Sequence, residues 1–211
     1  MLATPASKPR RSKNVARDLV AEYRRTAILD AARTVFARHG FAASSMESVA
    51  HEADVAKGTL YLYYRSKAAL YRAAVSSGLE RLTAETIELL DSGRPFVELL
   101  SEFFGMRERY FADQHDFLRI YGAEMAALGT AAQQIRRDLV RLQGLQIEAL
   151  RRALEAAVHL GAVRGIDSRA AAQAIFDLSH GSIMRRIRHG QDREAADTTT
   201  IVDLLWRGLA K

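Results

Sequence analysis

Past about residue 20 the apolar positions recur at intervals of three and four, and two-residue alternation is scarcely seen. That period belongs to one face of a helix, so the pattern predicts an all-α chain. Ile28, Ala31, Ala32, Val35 and Phe36 form one such face and predict a first helix over about 21–39. Gly40 supplies its stop, because the left-handed residue after a helix is cheapest as glycine. Ser44 and Ser45 then offer an N-cap, and Ser44 with Glu47 has capping-box spacing. A short helix over about 46–53 follows, with Met46, Val49 and Ala50 inward. Asp54 and Val55 make a turn into a second short helix at about 56–62, and Ser66 caps a long helix over about 67–90. A long helix followed by two short ones across a tight turn has the helix-turn-helix shape.

Glycines and polar clusters divide the remainder. Helices are expected from 93–95 to about 111, over 116–128 after a polar break at 113–116, and over 131–160 before Gly161 and Gly165. Asp167 and Ser168 cap the next, to about His189, and Thr198 to Thr200 start the last, to Leu209. About nine helices result, with no internal repeat.

Charge separates two regions that hydropathy does not. Residues 1–73 hold 13 Lys/Arg against 6 Asp/Glu, a balance of +7; residues 74–211 hold 18 against 19, a balance of −1. The first third therefore suits a polyanion, with nucleic acid the obvious one and an anionic membrane surface also compatible. Three divisions follow: a basic, flexible arm at 1–20 carrying Lys8, Arg10, Arg11, Lys13 and Arg17, a helix-turn-helix domain at 21–72, and a second domain at 73–211. Apolar residues make up 48% of the chain, enough to bury a core and to argue against general disorder. The absence of cysteine rules out a disulfide scaffold, a thiol nucleophile and thiolate-bound zinc. No apolar run approaches a membrane span and no secretory signal is seen, so a soluble cytoplasmic protein is expected.

The stretch FAASSMESVAHEADVAKGTLYLYYRSKAAL, residues 41–70, carries the most specific pattern. Its core, KGTLYLYYRSK at 57–67, is preceded by Val49-Ala50, Ala53 and Val55, and Arg24-Arg25 opens a helix ending Phe36-x-x-His39-Gly40-Phe41. Over residues 24–72 the chain resembles the TetR family of bacterial transcriptional regulators; the rest matches only in being helical and of suitable length. The resemblance implies a homodimer on a palindromic DNA operator, released by a small apolar or amphipathic effector. Three positions depart from the usual family pattern: Asp54 for the turn glycine, Ala56 for a capping serine, which loses about 1 kcal/mol, and Tyr64 for phenylalanine.

Physical chemistry gives these residues matching roles. Gly58 and Thr59 permit close approach of the second short helix to base edges, the Thr59 methyl suiting a thymine methyl. Lys57 can reach a phosphate or guanine, Tyr61 and Tyr63 present hydroxyls to flanking phosphates, and Lys67 with the opening amides of its helix offers an anion site. Ser45 is placed on the opposite side of the groove, and Arg24 and Ser44 complete the DNA-facing set. Leu60 and Tyr64 read as core.

In the second domain, aromatic and methionine side chains on consecutive helices read as the wall of an effector pocket: Phe103, Phe104, Tyr110, Phe117, Tyr121, Met125 and Phe176, with Arg107 and His180 as its polar members. Plain core is the competing reading for each. Small and apolar residues in register at Ala172, Ile175, Ser179, Ser182 and Ile183, then Ile201, Leu204 and Leu205, are assigned to a dimer interface, with burial inside one subunit the alternative. The six histidines are scattered, and only Asp113-x-His115-Asp116 clusters, so no metal and no cofactor is expected. No nucleophile has a matched base and no glycine loop cradles phosphate, which argues against an enzyme. The alternative of another class is a helical carrier for an apolar ligand, with nonspecific affinity for DNA.

Overall fold

A computed structural model describes residues 10–114, 116–117, 119–120, 132–189 and 198–211. Among them lie eight helices: α1 (Arg10–Ala43), α2 (Met46–Glu52), α3 (Lys57–Tyr63), α4 (Lys67–Leu90), α5 (Phe96–Asp113), α6 (Ala132–His159), α7 (Ser168–His189) and α8 (Thr198–Leu209). The only strand-like pairing among the described residues is a bridge between Val163 and Ala210. Of the helix expected at 116–128, Asp116, Phe117, Arg119 and Ile120 are described and are helical. None of the described helices is long and apolar enough to cross a membrane.

The chain divides into two compact units, Met1–Ala74 and Val75–Lys211. In the first, α1 begins at Arg10, well before the expected start near 21. The added turns contain no Pro or Gly, so nothing in their backbone chemistry stops the helix. Residues 17–26 are all exposed. Packing starts at Ile28 and continues through Ala32, Val35 and Phe36, which meet Met46 and Val49 of α2, Leu60 of α3 and Leu70 and Tyr71 of α4 in one buried core. Gly40, at φ 75°, interrupts α1 and turns Phe41 back. The Phe41 ring then stands 5.0 Å from Tyr71, which packs edge-on to Phe36 at 4.8 Å.

The α2–α3 turn is a Schellman closure. Asp54 takes φ 51°, its N–H donating to the His51 carbonyl at 3.2 Å while Val55 N–H donates to Ala50 at 2.9 Å. Aspartate accepts this left-handed backbone less readily than glycine but more readily than most residues. The cap of α2 differs from the expected one. Ser45, not Ser44, accepts the N–H of Ser48 at 3.0 Å, and the Ser48 hydroxyl accepts the Ser45 N–H at 3.1 Å, so serine supplies both halves of the box and Glu47 neither.

The second unit is organised by α5, which packs against α6, α7 and α8. Phe96, Leu99, Leu100, Phe103 and Phe104 bury one side of α5 against Ala149, Leu150 and Leu154 of α6, Ala172, Ile175 and Phe176 of α7, and Val202 and Leu209 of α8. Gly78 marks a close approach on α4: a Cβ there would stand 2.6 Å from the Phe117 ring. The Gly78 carbonyl accepts the Tyr110 hydroxyl at 2.6 Å, tying α4 to α5.

Candidate nucleic-acid interface

The seven residues of α3 divide cleanly by face. Leu60 is fully buried and Tyr64, just after the helix, nearly so, while Thr59 and Tyr63 are half-buried at the flanks. Lys57, Gly58, Tyr61 and Leu62 are exposed. At helical spacing Gly58 points away from Leu60, with Tyr61 and Leu62 on either side of it. Among the described residues no heavy atom outside the helix's own backbone lies within 4 Å of where a Gly58 Cβ would stand, and its backbone is ordinary helix. Glycine costs about 1 kcal/mol in a helix relative to alanine, and packing within the subunit gives no reason to incur it. Ala56 caps α3 without a side-chain hydrogen bond.

The two lysines flanking α3 have different tasks. Lys57 is exposed and paired with Glu47 of α2. The pairing holds the Glu47 carboxyl below the ordinary carboxylate range and the Lys57 ammonium above the ordinary lysine range, chiefly through their shared hydrogen bond. Such an exposed pair is weak and can exchange its carboxylate for another anion. Lys67, expected to face phosphate, is occupied. Its Nζ donates to the carbonyls of Phe41 at 2.8 Å, Ser44 at 2.9 Å and Ala42 at 3.3 Å, and it lies 4.5 Å from the Phe41 ring centroid. Those carbonyls close α1 and lead into α2, and a cation at such an end is favourable. Ser44 is likewise structural: it is buried, and its hydroxyl donates to the Gly40 carbonyl at 2.6 Å.

The other surface positions stay accessible. Arg24 is exposed on α1, and Ser45 is half-buried in its capping role. Arg25 lies against Tyr64, whose phenol is pushed up by burial, with Arg25 acting in the opposite direction. An open groove of about 480 Å³ between α1 and α3 is lined by Asp18, Ala21, Glu22, Arg25, Leu62, Tyr63 and Tyr64.

In the second unit the expected pocket positions Phe103, Phe104, Tyr110, Phe117 and Phe176 are all buried, the first two and Phe176 inside the main core; Tyr121 and Met125 lie outside the described residues. Arg107 is 2% exposed in their midst. Its Nε donates to Ser179 Oγ at 2.8 Å and its Nη1 to Gln146 Oε1, and Gln146 Nε2 donates to Thr83 Oγ1 at 2.8 Å. The Phe176 ring centroid is 4.8 Å from the guanidinium carbon and that of Phe103 5.4 Å. His180 stacks on Phe176, and its imidazole is pushed down by burial and then by Arg107, against a smaller opposing effect of Asp177. Four helices thus meet at one polar node. The sequence reading missed Gln146 and Thr83, which fall among apolar neighbours at helical spacing and are the signal for it.

Of the positions expected at a dimer interface, four face inward. Ala172, Ile175, Ser179 and Ile183 are buried within this subunit, because the small-residue stripe of α7 packs on α5 and α6. Ser182, Ile201 and Leu205 are half-buried; Leu204 is 66% exposed. Outward on α7 stand Ala174 and Leu178 instead. Among the described residues no His, Asp and Glu gather at a metal-sized site; His115 lies outside them.

Residues 28–74, the whole of this helical arrangement from the first buried position of α1, match the family described as bacterial regulatory proteins, tetR family. Over these residues the chain is similar to TetR-family regulators. The repressor KstR of Mycolicibacterium smegmatis is 42% identical over 77 residues, covering 36% of this chain and 38% of that protein. A Bacillus subtilis HTH-type regulator, YerO, is 34% identical over 86 residues, 40% of this chain and 30% of the relative. These matches span about a third of the relatives' length. Over a longer reach the likeness is in fold: the Bacillus subtilis regulator FadR, crystallised with stearoyl-CoA, superposes with a TM-score of 0.74 at 22% identity, covering 87% of this chain and 98% of that one. The TetR family is a family of regulators, not of enzymes.

Proposed function

We propose that this chain is a TetR-family DNA-binding repressor that acts as a homodimer and leaves its operator when a small amphipathic effector binds the second unit. The observation that carries the reading is the outer face of α3. A glycine that internal packing does not require sits at its centre, next to an exchangeable lysine and a tyrosine hydroxyl, in the part of the chain that holds the whole +7 charge excess. A duplex groove would use that opening: Gly58 and Thr59 against base edges, Lys57, Tyr61, Tyr63, Ser45 and Arg24 toward phosphates. Two copies on a palindrome would set their α3 helices in major grooves about 34–36 Å apart.

For the dimer, the outward apolar residues are Ala174 and Leu178 on α7 and Leu204 on α8, with Ile201, Leu205 and Ser182 at their margins. For the effector, the Arg107 node supports a molecule with an apolar body and an anionic head. Phe103, Phe104, Tyr110, Phe117, Phe176 and His180 supply the surroundings, and Tyr121 and Met125 remain candidates. The acyl-CoA seen in FadR has that chemistry. α4 carries Lys67 in the first unit and Thr83 in the second, so an effector that draws Gln146 or Arg107 away from its partners acts on the same helix that anchors α1. Release requires that the effector bind the DNA-free state more tightly; equal affinity shifts nothing.

Selection from a random double-stranded DNA library, repeated across salt, tests the reading. An inverted repeat is expected to be enriched, and a fatty acid or acyl-CoA that weakens its binding must itself bind less tightly when that DNA is present. Sequence-indifferent, steeply salt-dependent binding would overturn the regulator and favour a helical carrier.

A further inference from the structure

Leu62 is the most conspicuous residue of α3 that has no role in the reading above. It is 85% exposed, as much as any large apolar side chain among the described residues. The helix does not need it for packing, since Leu60 and Tyr64 on the opposite face bury the core contacts. It is not at a frayed end, since the Tyr64 N–H still closes on the Leu60 carbonyl at 2.9 Å. It stands beside Gly58, four residues earlier on the same face, where the fold leaves open space. Leucine exposed on a free surface is common and needs no account by itself. Here it shares a face with the feature that admits a partner, and that partner is polyanionic DNA.

Duplex DNA offers one strongly apolar group in the major groove, the C5-methyl of thymine. A branched aliphatic side chain has no hydrogen-bonding group with which to read any other base edge. We infer that Leu62 is a specificity-determining residue that reads a thymine methyl in each half-site, at a different base from the one that Thr59 meets. This rests on α3 being the DNA-reading helix. Leu62 follows Thr59 by three residues on the same flank of Gly58, about 4.5 Å further along the helix axis, so the two side chains address successive positions along the groove. Leu62 also borders the groove between α1 and α3, where Ala21 and Tyr63 supply further apolar surface. A ligand for that groove is the competing use of an exposed leucine, and it predicts no dependence on a base methyl.

The experiment uses the full chain and the duplex it selects from a random library. Each thymine of one half-site is replaced in turn by deoxyuridine, which removes only the methyl. Wild type is expected to lose about fourfold in affinity at one position on account of Leu62, the worth of one buried methyl-sized group. Leu62→Ala is expected to bind thymine and uracil equally at that position while keeping wild-type discrimination at every other. Leu62→Met, which restores aliphatic contact, brings the discrimination back. Because Leu62 is exposed, the thermal midpoint of both variants stays at the wild-type value, and a fall would mean that the side chain packs. If Leu62→Ala senses uracil at every position as wild type does, or wild type senses it nowhere, the assignment is wrong although α3 still reads DNA. If no sequence is enriched at all, the DNA-reading function fails and the assignment with it.

Discussion

The two units differ in what their buried polar groups hold together. In the first, each such group serves nearby backbone: Ser44 donates to Gly40, Lys67 gathers three carbonyls at the end of α1, and Arg33, paired with Asp30, reaches the Ala74 carbonyl at 3.4 Å. These contacts fix the local path of the chain and leave the outer face of α3 clear. In the second, Thr86 and Tyr110 also donate to backbone, but a connected set of bonds joins side chain to side chain over 39 to 72 residues of sequence, from Thr83 through Gln146 and Arg107 to Ser179. Such a node is satisfied only at one spacing of four helices, so a movement of any one is felt by the others. A rigid frame suits a surface that must match a fixed partner. A node that depends on helix spacing suits a region whose arrangement is to be altered by a ligand.

The comparison breaks most readily at Arg107. Arg107→Ala leaves a cavity and orphans Gln146 and Ser179 in the interior, and it should cost about 3–5 kcal/mol of stability in urea denaturation. A loss below about 1 kcal/mol would mean that the node is not what holds these helices at their spacing.

Lys67→Ala comes next, at about 1–2 kcal/mol, since three charge-assisted bonds at a partly exposed site are lost. At temperatures where the variant is still folded, the dependence of DNA binding on salt should match wild type. A shallower dependence would return Lys67 to the phosphate contacts that its sequence position implied. Lys57→Ala is the counterpart. It breaks an exposed pair and should leave the thermal midpoint unchanged, yet weaken binding on all sequences and lower the salt slope by about 0.9 per subunit.

The contrast between these lysines shows where sequence was enough and where it was not. The periodic faces of α1, α2 and α3, the Gly40 stop and the strained Asp54 turn could all be read from local pattern, because each depends on neighbours three to five residues away. The three carbonyl acceptors of Lys67 lie 23 to 26 residues earlier in the chain, and nothing in KGTLYLYYRSK points to them. Ser44 and Ser45 differed by one position, too fine for spacing to choose between them. The α7 stripe was legible as small and apolar, but that chemistry suits a partner subunit and the subunit's own α5 and α6 equally. Only packing decides, and it turned Ala172 and Ile175 inward and left Leu178 outside. Leu62 escaped notice because an apolar residue within a helix reads as core until its neighbours are seen.

The smallest effect expected is a pH dependence confined to the second unit. His180 faces Phe176 on its own helix and Arg107 on α5, with Asp177 one turn away; burial and the guanidinium both disfavour its charged form. Its pKa when folded is therefore below the value of about 6.5 that it takes when unfolded. As pH falls through about 6.5 the unfolded chain takes up a proton that the folded chain declines, and stability declines until the lower folded pKa is passed. Above pH 7 both states are neutral and the residue adds no slope. Replacing it by glutamine, which is polar but does not titrate, should flatten the stability curve below pH 6.5 relative to wild type and leave the curve above pH 7 unchanged in slope. An unchanged acid limb would mean that His180 titrates as freely in the fold as in the unfolded chain, and that the Arg107 node exerts no field at the ring stacked beside it.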